Sequence, residues 1–149
     1  MKNLMFAVAL LFSATAFAQN ATEKTPASLV KFKEITYDFG KIKQGVPVTH
    51  DFVFSNVSDK QVIVESANAS CGCTTPKWPE QPVAKGKTEK ITAGFNAQAV
   101  GPFNKSIYVK LAGVEQPMEI KISGEVLTAD DYAKYEKEKG TKPARSGGK

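Results

Sequence analysis

Histidine is almost missing from this chain and cysteine is scarce: 149 residues hold one His, His50, and two Cys, Cys71 and Cys73. That poverty excludes most catalytic and metal chemistry. A serine or cysteine nucleophile needs a base beside it, and His50 is the one imidazole on offer. A closed structural zinc site needs four ligands, more than two cysteines and one histidine supply. The chain has no C-x-x-C, no glycine-rich phosphate loop, and no carboxylate pair at a persuasive spacing for acid–base work. It has no Arg cluster or aromatic–basic stripe for a nucleic acid. No apolar run reaches the roughly 20 residues that span a bilayer. The expectation is a protein that is not an enzyme, does not bind nucleic acid and has no membrane span.

What is present begins with an export signal. Lys2 gives a positive start, Leu4 to Phe12 (LMFAVALLF) is unbroken and apolar, and Ala16-Phe17-Ala18 is an A-x-A cleavage pattern. Cleavage near Ala18 would leave Gln19 at the new terminus. No cysteine lies there to take a lipid. The mature protein is expected to be periplasmic or secreted. The formal charge of +5 then becomes +4 through loss of Lys2. Much of the excess sits in the last twenty residues, among them Lys134, Lys137, Lys142 and Arg145, and reads as a solvated basic tail.

One domain suits this length. Residues 19–28 are polar and read as a flexible lead-in. Residues 29–127 show short alternating runs between turn signals, the pattern of an antiparallel β-sandwich of six or seven strands. The first is expected around Phe32 to Tyr37. His50 to Asn56 puts Phe52 and Phe54 on one face, and Gln61 to Glu65 returns after a turn. Ile91, Ala93 and Phe95 share a face. Gly101-Pro102 breaks the chain before Phe103, Ile107, Val109 and Leu111 share another. Met118, Ile120 and Ile122 close the pattern. Thr128-Ala129-Asp130-Asp131 is a helix start, Gly140 its stop, and residues 142–149 a disordered end.

Cys71-Gly72-Cys73 is where chemistry would reside. A disulfide there closes a three-residue loop, worth about 1.6 kcal/mol by loop entropy. On an extended strand the two Cα atoms would stand near the upper limit for a bridge. A structural staple is therefore the weakest account. A strained or labile disulfide, a thiophilic metal site, and a pair of inert, packed thiols all stay open. Strand parity places both sulfurs on one face, where they suit Cu(I), with His50 as a candidate additional ligand; otherwise no cofactor is expected. His50 shares parity with Phe52 and Phe54, which also suits a packed histidine at the mouth of the core. Thr74 to Pro82 (TTPKWPEQP) reads as a Pro-rich loop, and its Trp78 as an interface candidate.

The order Tyr37-Asp38-Phe39-Gly40-Lys41-Ile42 with Gln44-Gly45, His50-x-Phe52-x-Phe54-x-Asn56, Ser70-Cys71-Gly72-Cys73-Thr74, Pro82-Val83-x-x-Gly86 and Gly101-Pro102-Phe103-x-Lys105 resembles domain-of-unknown-function family 1573 over roughly residues 30 to 126. The resemblance implies a short exported protein of Gram-negative bacteria, especially Bacteroidota. It also implies an immunoglobulin-like fold akin to major sperm protein and Hydin-type domains. It implies no activity. Lys85-Gly86 departs from the more usual Pro-Gly, which should loosen that turn. The resulting expectation is an exported, non-catalytic binding or scaffolding module for a protein or cell-envelope component. A thiol-redox or Cu(I)-binding protein acting through Cys71 and Cys73 is the alternative. Oligomeric state is not legible.

Overall fold

The computed structural model describes residues 25–141. The expected export signal at 1–18, most of the expected lead-in and the expected tail at 142–149 lie outside them. A helical turn α1 (Pro26–Leu29) leads into eight strands: β1 (Val30–Phe32), β2 (Thr36–Lys43), β3 (Val48–Asn56), β4 (Val64–Ala69), β5 (Thr74–Lys77), β6 (Thr88–Phe95), β7 (Gly101–Leu111) and β8 (Met118–Leu127). Helix α2 (Ala129–Thr141) follows. One four-stranded sheet has the order β1-β3-β6-β5 and the other β2-β8-β7-β4.

Alternation builds the core. Phe52 and Phe54 of β3 and Ile91 and Ala93 of β6 turn inward from the first sheet, and Ile107, Val109, Ile120 and Ile122 meet them from the second. All are essentially sealed from solvent. At about 25 cal/mol per Å² of apolar surface, this shared face is what holds the two sheets together. Outside it, Asp51 on β3 accepts hydrogen bonds from the Lys90 ammonium and the Thr92 hydroxyl of β6, each at 2.6 Å. Lys90 first, then Thr92, holds the Asp51 carboxyl below its ordinary value. A depressed carboxyl stabilises the fold above its unfolded pKa, about 3.9, and stops doing so as pH falls through the folded value. Asp51→Asn should therefore lower stability at pH 7 by no more than about 1 kcal/mol, because the site is half exposed. Urea midpoints of wild type and variant should converge as the pH is lowered below about 4. A gap that persists there would mean the carboxylate charge is not its source.

Several expected elements take a different form. The single first strand is two, β1 and β2, because β1 pairs with β3 while β2 joins the opposite sheet. That sheet is mixed, since β2 runs parallel to β8, with Tyr37 opposite Ile122. Gly101-Pro102 does not break the chain but opens β7. This is tolerated because β4 covers β7 only from Ile107 onward, so Pro102 has β8 as its one neighbour. Gln61 to Glu65 is only partly a strand. Val62 makes an isolated bridge to Val83, and β4 continues past Glu65 to Ala69 through a bulge after Val64, which turns Ala67 inward. Finally, α1 occupies part of the expected lead-in, with Pro26 in its first turn, and α2 runs past Gly140. The expected start of α2 is realised: the Asp131 backbone N–H donates to the Thr128 hydroxyl at 3.2 Å.

Candidate functional site

Cys71 and Cys73 sit in the turn that carries the chain from β4, in one sheet, to β5, in the other. They are not on a strand, so the parity argument for their shared face does not apply. The turn is closed by the Thr74 N–H donating to the Cys71 carbonyl at 3.3 Å. It brings the two Cα atoms to 5.3 Å, and the sulfurs are joined in a disulfide. That separation lies inside the usual range for a bridge. Both half-cystines are partly exposed, and Cys73 leans on the core. The hydroxyl of Thr74, a residue only 4% exposed, lies 3.7 Å from the Cys71 sulfur and 3.9 Å from that of Cys73.

Hydrogen bonds from two neighbouring segments lock this turn. The Ser70 N–H donates to the Ser106 carbonyl and the Ser106 N–H to the Ser70 hydroxyl, which fixes the β4 side to β7. The Asn96 N–H donates to the Cys73 carbonyl at 3.0 Å, tying the turn to the 96–100 loop. That loop in turn receives the Gly45 N–H at the Ala97 carbonyl and the Gln44 side chain at the Gln98 carbonyl. Ala97 is fully buried with φ +52°, a left-handed conformation that costs an alanine roughly 1–2 kcal/mol. Its surroundings hold it there.

Between the turn and the loop lies a cleft lined by Cys73, Phe95, Val100, Pro102, Phe103 and Lys105, among others. Its floor is the Phe95–Phe103 stack, with ring centroids 4.0 Å apart. Val100 on this loop and Val46 on the adjoining 44–47 loop are about half exposed, at 51% and 49%. Large apolar side chains left bare on one loop end mark a contact surface more often than isolated ones do.

The other anticipated residues lie elsewhere. The His50 ring nitrogen Nε2 pairs with Glu34 Oε1 at 2.9 Å, the carboxylate accepting, and the ring stacks on Tyr37 with centroids 3.5 Å apart. Its edge also meets Phe52. It is a packed residue, and the described residues contain no group of three or more His, Cys, Asp or Glu side chains placed to hold a metal. Cys71, Cys73 and His50 are thus not gathered into one site. Trp78 is half buried against the edge of the core rather than standing free. The segment expected as a loop from Thr74 forms strand β5 up to Lys77, with Pro76 on a sheet edge, where its missing N–H costs no ladder bond. Val46, Val100 and the Phe95–Phe103 floor were missed as site residues. Only the bonding of the 44–47 loop to the segment that joins β6 to β7 reveals them.

Solved structures with this fold are distant in sequence. The ASH/PapD-like domain of human CEP192 (PapD-like domain 7) superposes with a TM-score of 0.58 at 12% identity, over 85% of this chain and 99% of that one. A protein of unknown function from Porphyromonas gingivalis W83 gives 0.57 at 13% identity, over 71% of this chain and 51% of that one. The Vibrio cholerae VesB protease gives 0.52 at 12%, covering 66% of this chain and 32% of the protease. The chain thus spans about half of the Porphyromonas protein and a smaller part of VesB. At these identities the likeness is one of fold, an immunoglobulin-like, PapD-like sandwich. No curated protein matches the sequence. The family model described as protein of unknown function (DUF1573) matches residues 30–126, the whole sandwich from β1 into β8, and the chain belongs to that family.

Proposed function

We propose that this protein is an exported binding module that captures a polypeptide of the cell envelope at the loop end bearing the Cys71–Cys73 bridge. Export rests on Leu4 to Phe12 and the Ala16-Phe17-Ala18 pattern. The observation that carries the binding reading is the half-exposed Val100 in the lining of an aromatic-floored cleft, with half-exposed Val46 on a loop bonded to the same 96–100 segment. The loops that display them are held by backbone hydrogen bonds, so little ordering entropy remains to oppose capture. A hydrolytic role through a His-activated nucleophile has no support here, because the His50 ring is taken up by Glu34 and Tyr37.

Envelope capture by immobilised protein tests this. Val46→Asp with Val100→Asp should weaken capture at least about tenfold, the cost of placing charge where an apolar contact was. Val57→Asp, at the opposite end of β3 and also exposed, should leave it unchanged. Cys71→Ser with Cys73→Ser should also leave it unchanged, since the capture is non-covalent. Equal loss from Val57→Asp, or none from the paired change, would place the surface elsewhere.

A further inference from the structure

We infer that the Cys71–Cys73 disulfide is a thiol–disulfide exchange centre and that the cleft beside it seats a cysteine-bearing segment of the captured polypeptide. This rests on the binding reading and names the chemistry of its partner. Four observations converge. The bridge closes only a three-residue loop on the surface: both half-cystines are partly exposed, and a methyl placed on Gly72 would meet nothing within 4 Å. The turn is held by bonds from Ser70, Ser106 and Asn96, so opening the bridge leaves its frame in place. Cys73 lines the cleft, which puts its sulfur in reach of a thiol on a bound segment, and Lys105 brings a positive charge for an incoming thiolate. The buried Thr74 hydroxyl lies beside both sulfurs and nearer to that of Cys71.

A substrate thiolate attacks the Cys73 sulfur, the Cys71–Cys73 bond breaks, and its electron pair leaves on Cys71 as a thiolate, which accepts a hydrogen bond from the Thr74 hydroxyl. The second substrate thiol, once deprotonated, attacks the substrate sulfur of the mixed disulfide and releases Cys73. The substrate dithiol has become a disulfide, and Cys71 and Cys73 have become a dithiol carrying the two electrons. A disulfide co-reactant such as oxidised glutathione takes those electrons and restores the bridge. Thr74 is a catalytic residue in this scheme because it touches the leaving sulfur.

The test uses the protein as the cell produces it, purified without reductant. The probes are a short apolar peptide with two cysteines and the same peptide with both thiols alkylated. Oxidised protein should convert about one equivalent of the dithiol peptide to its disulfide, and more when oxidised glutathione is supplied. Thr74→Val, which keeps shape and strand preference, should slow this about tenfold, the loss of one hydrogen bond to a charged sulfur. The same change should move alkylation of reduced Cys71 to higher pH. Thr74→Ser should restore both. Cys71→Ser with Cys73→Ser should abolish conversion. If the alkylated peptide binds but conversion is no faster than with oxidised glutathione alone, or if Thr74→Val matches wild type, the exchange inference is overturned and the binding reading stands. If the alkylated peptide does not bind and no conversion occurs, both are overturned.

Discussion

Replacing Asn56 with alanine should destabilise the protein by about 3 kcal/mol, read as a drop in the urea midpoint with an unchanged denaturant slope. Asn56 closes β3 and is 1% exposed. Its amide nitrogen donates to the carbonyls of Lys60 and Val83, each at 2.8 Å. Its amide oxygen accepts from the Ser58 N–H at 2.9 Å and the Ser58 hydroxyl at 2.8 Å. Both donors and both lone pairs are thus spent. Its backbone also pairs with the turn around Gly86, through Lys87 O and Gly86 N. One side chain therefore joins the 57–60 turn to the Val62–Val83 bridge. At about 1 kcal/mol net per bond, four bonds set the scale. The total falls short of their sum because Lys60 O keeps Ser58 Oγ and Val83 O keeps the Val62 N–H.

Aspartate at the same position separates hydrogen bonding from volume. Its shape matches asparagine, but an oxygen would replace the nitrogen that faces two carbonyls. At pH 7 a buried carboxylate would point at two negative dipoles, so Asn56→Asp should be at least as damaging as Asn56→Ala. Acidification returns a proton and hence a donor. The gap between Asn56→Asp and wild type should narrow from pH 7 to pH 5, while that of Asn56→Ala stays constant. Parallel behaviour of the two variants would show that lost packing, not lost donors, is the cause.

The inward faces of β3, β6, β7 and β8 were legible because each alternates strictly and carries large apolar residues. What parity cannot express is direction, because a parallel and an antiparallel strand have the same period. The parallel pairing of β2 with β8 was hidden for that reason. The ESANA stretch of β4 has little strand propensity, and its pairing with β7 comes from position, not composition. Pro76 and Pro102 looked like breaks because proline forbids a ladder bond, but both stand where one side of the strand is unpaired. The cysteine pair was legible as the chemically notable feature. Its placement at the crossing between sheets, with Thr74 and the Phe95–Phe103 cleft beside it, depends on two segments more than twenty residues apart. Asn56 was visible only as the end of a strand and one position of the family motif, since nothing local announces a side chain that bonds 27 residues ahead.

Gly124 illustrates the same limit, and Gly124→Ala should cost about 2–3 kcal/mol. Its position in β8 pairs with Phe103 of β7. A β-carbon there would come within 2.8 Å of the Gly40 carbonyl oxygen and 2.8 Å of the Phe103 ring. The first is backbone, held in the bulge of β2 where Gly40 sits at φ +65° with its N–H on the Asp38 carboxylate. The second is the ring that stacks on Phe95 to floor the cleft. Neither can yield without disturbing something else: the bulge would lose its register on β8, or the floor would tilt. Gly72→Ala provides the contrast, because a methyl on Gly72 meets open space and should change stability by less than about 0.5 kcal/mol. Urea midpoints of the two variants would therefore separate widely despite the same one-carbon change. If instead Gly124→Ala unfolds at the wild-type midpoint, the close passage of β2 and Phe103 over this residue is not rigid. The aromatic floor would then have room to rearrange, and a cleft built to seat a peptide segment would have to be ordered by the peptide itself.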